Sequence, residues 1–238
     1  MESKKTNIKY GFAIAGIAIA SALAYFVFSN RKRKKISSRQ KIISENPYLD
    51  RLILSMRNLG YKVYGDGRWN IVGVRSNTGM TDTFDDWIHL FRKDGNKMEY
   101  YKYPITTDPG LYYLNHPMNV KGTGIMAPGQ YVDAYAFGLH NGQYEALKQV
   151  GPVNAYRDSN RDSSYDFLEN SIQSGIFGMN IHHSGKTEDK NKNKKVTKWS
   201  AGCQVFANIS DFLQFIGLLK KSGQTRFTYT LMRADQIK

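Results

Sequence analysis

Residues 10–29, YGFAIAGIAIASALAYFVFS, run for twenty positions without a charge. Twenty helical residues at about 1.5 Å each span about 30 Å, the thickness of a hydrocarbon core. A retained transmembrane helix is predicted here, with residues 1–9 as a tail before it and 30–45 as a basic linker after it. Ala22-Leu23-Ala24 has the small-x-small form of a signal-peptide cleavage site, but apolar residues continue through Phe28. The cluster Arg31-Lys32-Arg33-Lys34-Lys35 also follows the span, where a cleavable signal does not carry it. The pattern then changes to helical spacing. Asn46 suits an N-cap and Pro47 the first helical position, Leu49, Leu52, Ile53, Met56 and Leu59 recur on one face, and Gly60 ends the run, which predicts a short helix over 46–60.

From Tyr61 onward the alternation becomes β-like. Strands are predicted at 69–74, 87–91, 98–103, 131–137, 144–150 and 177–183, separated by turns such as Asp94-Gly95, Asp108-Pro109-Gly110 and Asn141-Gly142. Ser210 is placed as the cap of a helix carrying Phe212, Phe215, Ile216 and Leu219 on one face and stopping at Gly223. Alternation at 227–231 predicts a last strand. The fold class expected for 61–238 is therefore mainly β (α+β), a single mixed or antiparallel β-rich domain behind one N-terminal membrane helix.

Composition changes this picture little. The 41% hydrophobic and 13% aromatic content suits a chain with a packed core. The net charge of +14 is local: residues 1–45 contribute +8, the lysine-rich stretch 186–198 contributes +4, and the remaining chain only +2. The basic residues are not interleaved with aromatics as a base-stacking surface would be, so no specific nucleic-acid partner is expected. Arg31 to Lys35 suit anionic lipid headgroups beside the span. The positive-inside rule sets Lys4, Lys5 and Lys9 against the larger cluster that follows, and predicts a cytoplasmic C-terminal domain.

The chemistry concentrates in two segments, Asn180-Ile181-His182-His183-Ser184-Gly185 and Trp199-Ser200-Ala201-Gly202-Cys203-Gln204-Val205-Phe206. Cys203 is the only cysteine, which excludes an internal disulfide and a cysteine-built zinc or iron–sulfur site. A nucleophilic thiol needs a base and backbone N–H donors for the oxyanion. His182 is the expected base, Cys203 the nucleophile, and Gly202 lets the backbone approach the substrate. Ser200 is expected to bond the imidazole or the substrate. His182 and His183 point to opposite faces of a strand, so only one should line the site.

This H-x17-S-x-G-C pattern resembles the L,D-transpeptidase catalytic domain family (YkuD-like), whose signature is a strand-end His followed by S/T-x-G-C. A longer stretch, about 69–231, is similar to a group of uncharacterised phage and bacterial proteins; it includes Tyr103-Pro104-Ile105-Thr106-Thr107-Asp108-Pro109-Gly110 and Pro128-Gly129-Gln130-Tyr131. The resemblance implies a mainly β fold, a cysteine acyl-enzyme and peptidoglycan stem peptides as substrates, by hydrolysis or cross-linking, with no cofactor required. It puts the domain outside the cell, against the positive-inside count. The family's arginine shortly after the cysteine is absent, since Gln204-Val205-Phe206 carries no charge. Gln204, His183 and His140 are the expected substrate-binding residues. The rival expectation is a non-catalytic, membrane-tethered structural or assembly protein, such as a virion component.

A second constellation has the spacing of a calcium loop: Asp158, Asn160 and Asp162 at positions 1, 3 and 5, Asp166 at 9 and Glu169 at 12. Ser163 stands where a glycine is expected. Ca2+ is thus the one ion the sequence offers a site for.

Overall fold

The structure is a computed structural model, and it describes residues 46–65, 67–185 and 195–238. The predicted tail, membrane helix and basic linker lie outside the described residues, as does 186–194 of the lysine-rich stretch. Among the described residues no helix is long and apolar enough to cross a membrane.

The predicted first helix is α1 (Pro47–Asn58), and it buries Leu49, Leu52 and Met56. The strands that follow are β1 (Asn70–Arg75), β2 (Asp86–Asp94) and β3 (Lys97–Thr106), then a short α2 (Leu111–Asn115). Next come β4 (Thr123–Met126), β5 (Gly129–His140), β6 (Tyr144–Gln149), β7 (Val153–Asp158) and β8 (Gln173–Gly175). The chain ends with β9 (Ile181–His183), β10 (Gln204–Phe206), α3 (Ile209–Lys221) and β11 (Phe227–Arg233). Eight strands close into a barrel in the order β1-β11-β5-β6-β9-β10-β3-β2, and β4-β7-β8 form a separate three-stranded sheet. Closure leaves the barrel without unpaired sheet edges.

Two cores explain why β1 is buried along its whole length. Ile71, Ile88 and Leu90 point into the main core with Phe212, Phe215 and Leu219 of α3. The alternate residues Val72, Val74 and Phe91 meet Leu49, Leu52 and Met56 of α1 in a second core. Period-2 alternation thus delivers β1 to two apolar partners, and it reads as a nearly continuous apolar run.

Several elements differ from expectation. The stretch 177–183 is strand only over β9, because Gly178 takes φ +77° and turns the chain before it. α3 starts one residue before Ser210, and the extended residue ahead of it is Asn208. β4, β7, β8 and α2 were not anticipated, and β7 ends where the predicted calcium loop begins, at Asp158.

For the site, the key pairing is parallel β9–β10, with Ile181 beside Gln204, His182 beside Val205 and His183 beside Phe206. Asn180 and Cys203 are therefore neighbours at the entrance of adjacent strands. The Gln204 N–H bonds the Asn180 carbonyl at 2.9 Å.

Candidate active site

The turn before β10 is fixed by its own hydroxyl. Ser200 Oγ accepts the Gly202 N–H at 3.1 Å and donates to the Cys203 carbonyl at 2.8 Å. Serine readily bonds nearby backbone in this way. Gly202 sits at φ +124°, and a Cβ there would lie 2.5 Å from the Gly124 carbonyl oxygen. The conformation and the close approach both require glycine. Ser200 is fully buried. This corrects the expectation that Ser200 faces the imidazole or substrate: it shapes the turn that presents Cys203.

Cys203 is partly accessible at the cleft surface. Its thiol donates to the Gly178 carbonyl, with sulfur 3.6 Å from oxygen. Desolvation pushes the thiol up to about 11, and the Asn180 backbone N–H bonded to sulfur offsets only part of this. The resting group is a protonated thiol.

His182 is set by its next neighbour. Its Nδ1 lies 2.9 Å from the His183 carbonyl oxygen. A carbonyl only accepts, so the proton sits on Nδ1. The Tyr144 hydroxyl lies 3.3 Å from the same nitrogen and donates to the same carbonyl at 3.2 Å. Nε2 is buried and has no hydrogen-bond partner among the described residues. Burial, and next the charge of His140, hold the imidazole down at about 3, against the opposing effect of the His183 backbone bond. His182 is thus neutral, with an uncommitted Nε2 lone pair, the form a general base needs. Sγ and Nε2 are not hydrogen-bonded to each other in this structure.

His140, at the end of β5, stacks on His182 with ring centroids 3.9 Å apart. Asn180 orients it. Asn180 Oδ1 accepts the Gln149 N–H at 3.0 Å, which leaves Nδ2 to donate to His140 Nδ1 at 3.3 Å. Cys203, His182, His140, Asn180, Arg157 and Trp199 are among the residues lining one open cleft of about 530 Å³.

The other predicted substrate-binding residues are elsewhere. His183 faces away from the cleft and stacks on Tyr144 at 4.1 Å, with Phe212 beyond it. Gln204 is fully buried, and its Oε1 accepts the Tyr229 hydroxyl at 2.7 Å. Both are corrected from ligand contacts to internal supports of β9 and β10, because each lies on the strand face turned toward the interior. Asn180, Tyr144 and Arg157 were missed as site residues. Asn180 carried a signal, since it opens the same segment as His182. Arg157 carried none, because the strand that aims it was not predicted.

The predicted calcium loop is tied up by its own bonds. Asn160 Nδ2 donates to Asp162 at 2.9 Å and to Asp166 at 2.7 Å, and Asp158 accepts the Asp166 N–H at 3.1 Å. Glu169 turns to the Tyr156 hydroxyl at 3.2 Å. The structure gathers Asp158, Asn160, Asp162 and Asp166 but places an amide donor between two of the carboxylates. Among the described residues, no group of three or more His, Cys, Asp or Glu is arranged to hold a metal ion.

Fold and site together define a closed β-barrel domain with a cysteine and a neutral histidine in one cleft. Comparison of the chain with protein-family models, with curated proteins and with solved structures finds no match.

Proposed function

We propose that this protein is a membrane-anchored cysteine acyl-transfer enzyme, similar to L,D-transpeptidases, that acts on peptidoglycan stem peptides. The observation that carries the proposal is the uncommitted, buried Nε2 of His182, held in the accepting tautomer in the cleft that Cys203 enters. The substrate class comes from the resemblance of the two short segments, and the anchor from the apolar run at 10–29.

In the first half-reaction, His182 Nε2 takes the thiol proton as Cys203 Sγ bonds to the peptide carbonyl carbon. The Nδ1–H bond to the His183 carbonyl then supports the imidazolium. The Cys203 backbone N–H, at the end of the glycine turn, is the proposed oxyanion donor. The tetrahedral intermediate collapses, and the leaving amine takes the proton from His182. Water or a second amine attacks the thioester and frees the thiol, giving hydrolysis or cross-linking respectively. Thiol and imidazole supply nucleophile and base, so the cycle requires no cofactor. A thiol resting at about 11 means that substrate entry has to bring Sγ and Nε2 together before transfer.

The test compares the full-length chain in detergent with its Cys203→Ala variant on purified wall fragments. Product formed only by the Cys203 protein supports the proposal, and equal product from both overturns it. Protease accessibility on intact cells and spheroplasts assigns the side of the membrane.

One observation favours a second reading, a tethered structural or assembly protein. The thiol is protonated and is not bonded to His182. A thiol whose alkylation is unaffected by His182→Gln supports that reading over the enzyme.

A further inference from the structure

Among the described residues, the cleft beside Cys203 carries positive charge with no opposite charge to offset it. Arg157 and Lys198 line it, and no described Asp or Glu does. Lys198 is committed to the ring of Tyr112, with Nζ 4.1 Å from the centroid. Arg157 is held by neutral groups only. Its Nε donates to Gln173 Oε1 at 3.1 Å, its Nη1 to the Gly122 carbonyl at 3.4 Å, and its guanidinium carbon lies 4.8 Å from the Phe177 ring centroid. Among the described residues no carboxylate lies within ion-pair distance of it. A guanidinium stays charged in any environment of this kind and matches a carboxylate through two parallel N–H bonds.

Its position gives that charge a purpose. Arg157 lies directly across from Gly124 in the β4–β7 pairing. A Cβ on Gly124 would come within 3.4 Å of Nη1, and a Cβ on Gly202 would meet the Gly124 carbonyl. The Gly124 backbone and the Met179 methyl group, which would meet a Cβ at either glycine, are therefore what lies between the guanidinium and the turn that presents Cys203. A bulkier residue at either glycine would stand between the two.

We propose that Arg157 is the specificity residue of this cleft: it clasps a carboxylate of the bound peptide, so the favoured substrate carries a carboxylate close to the bond attacked by Cys203. The proposal rests on the acyl-transfer function above. It also supplies, from a distant strand, the positive group missing after Cys203 in the sequence. The carboxylate has two sources, the α-carboxylate of a peptide end or an acidic side chain.

Binding and turnover are measured separately, which keeps the two proposals distinguishable. Three N-acetylated tripeptide probes are used: one with a free C-terminal carboxylate, its C-terminal amide, and an amide with glutamate as the last residue. Binding is read by calorimetry on the full chain carrying Cys203→Ala, with and without Arg157→Gln or Arg157→Lys. The free acid or the glutamate amide is expected to bind about 10- to 100-fold more tightly than the uncharged amide, the size of a charged hydrogen-bonded pair. Whichever acid wins identifies the source. Arg157→Gln should erase the preference, and Arg157→Lys should keep a smaller one. On the intact Cys203 protein, Arg157→Gln should raise KM for the preferred acid with little change in kcat. Equal binding of all three probes, or a preference that survives Arg157→Gln, overturns the role of Arg157 even if turnover depends on Cys203. An Arg157-dependent preference with no Cys203-dependent turnover upholds the carboxylate site and removes the enzymatic function. If Arg157→Gln fails to fold, the comparison of acid and amide on the Arg157 protein and on Arg157→Lys still decides.

Discussion

The imidazoles of His140 and His182 lie face to face, with centroids 3.9 Å apart and planes 18° from parallel. Two rings so placed cannot both become imidazolium without direct repulsion, and His140 depresses the tendency of His182 to charge, while His140 itself is lowered by burial and then by His183 and Lys148. Burial is the larger cause for His182 and the His140 charge the second. His140→Ala should therefore move the His182 titration upward from about 3 toward the ordinary histidine value. Histidine ring resonances followed by NMR against pH check this; an unmoved His182 would show that burial alone sets it.

The thiol of Cys203 should react slowly at neutral pH. A group at about 11 has about 100-fold less thiolate at pH 7 than an ordinary cysteine near 8.5 to 9. Iodoacetamide labelling should rise through pH 9 to 11 without a plateau near 8. Labelling that is already fast at pH 7 would mean that the thiol and His182 form an ion pair in solution.

Gly202→Ala should destabilise the domain by about 2–4 kcal/mol and abolish any Cys203 chemistry. Two costs act together: a left-handed backbone and a methyl driven against the Gly124 carbonyl. Urea unfolding checks the first, and Ser200→Ala is a useful contrast. It should cost about 1–3 kcal/mol by leaving the Gly202 N–H without its acceptor while the φ angle stays permitted.

Much of this arrangement could be read from residues 69–231, and part of it could not. The long strands were legible because alternation at positions such as Ile71, Val72 and Val74 reflects two real apolar partners. α3 was legible from Phe212, Phe215, Ile216 and Leu219 at helical spacing. That His182 and Cys203 line one cleft was legible as a motif, although the two are not bonded to each other. Barrel closure was not, because parallel contact between two three-residue strands leaves no period to detect. Gln204 was misplaced for a related reason. Following a cysteine in sequence puts a residue on the opposite strand face, and only the partner strand decides which face is wet. Arg157 came to the cleft through tertiary packing alone.

Stability should fall as pH drops from about 6.5 toward 3. His89 and His182 are both pressed to about 3, in each case chiefly by burial. The unfolded chain takes up protons at these histidines as pH falls through 6.5, while the folded chain does not. Their contribution is complete above 6.5 and is lost on the way to 3. Asp86 works in the opposite direction: burial and then Asp108 raise it to about 7, so its contribution is complete below about 4 and is lost as pH rises toward 7. Asp108 and Asp158 are raised by burial as well, and His140 and His183 are lowered by it, so four histidines stand against three carboxyls, each fully shifted group supplying a slope of about 1.4 kcal/mol per pH unit. Urea midpoints at pH 6 and pH 4 should differ in favour of pH 6. His89→Gln should narrow that difference, whereas Asp86→Asn should widen it.

Millimolar calcium should leave the thermal midpoint unchanged, since the Asn160 amide already satisfies Asp162 and Asp166. A calcium-dependent rise would show that the amide turns over to present its oxygen. Asn160→Asp, which replaces the donor with a fourth carboxylate beside Asp158, Asp162 and Asp166, is the variant in which such a rise is expected.

The parallel register of β9 and β10 has one more consequence. The residues that bring His182 beside Cys203 are bonded across the strands, so their alignment does not depend on the covalent path between Gly185 and Lys195. A chain opened in that interval would present two fragments, one ending after the histidine and one beginning before the cysteine. Each would carry one of the two cleft residues, His182 or Cys203, and a strand that recognises the other. The domain is in that sense a natural candidate for splitting and reassembly, with thiol reactivity as the signal that the halves have met.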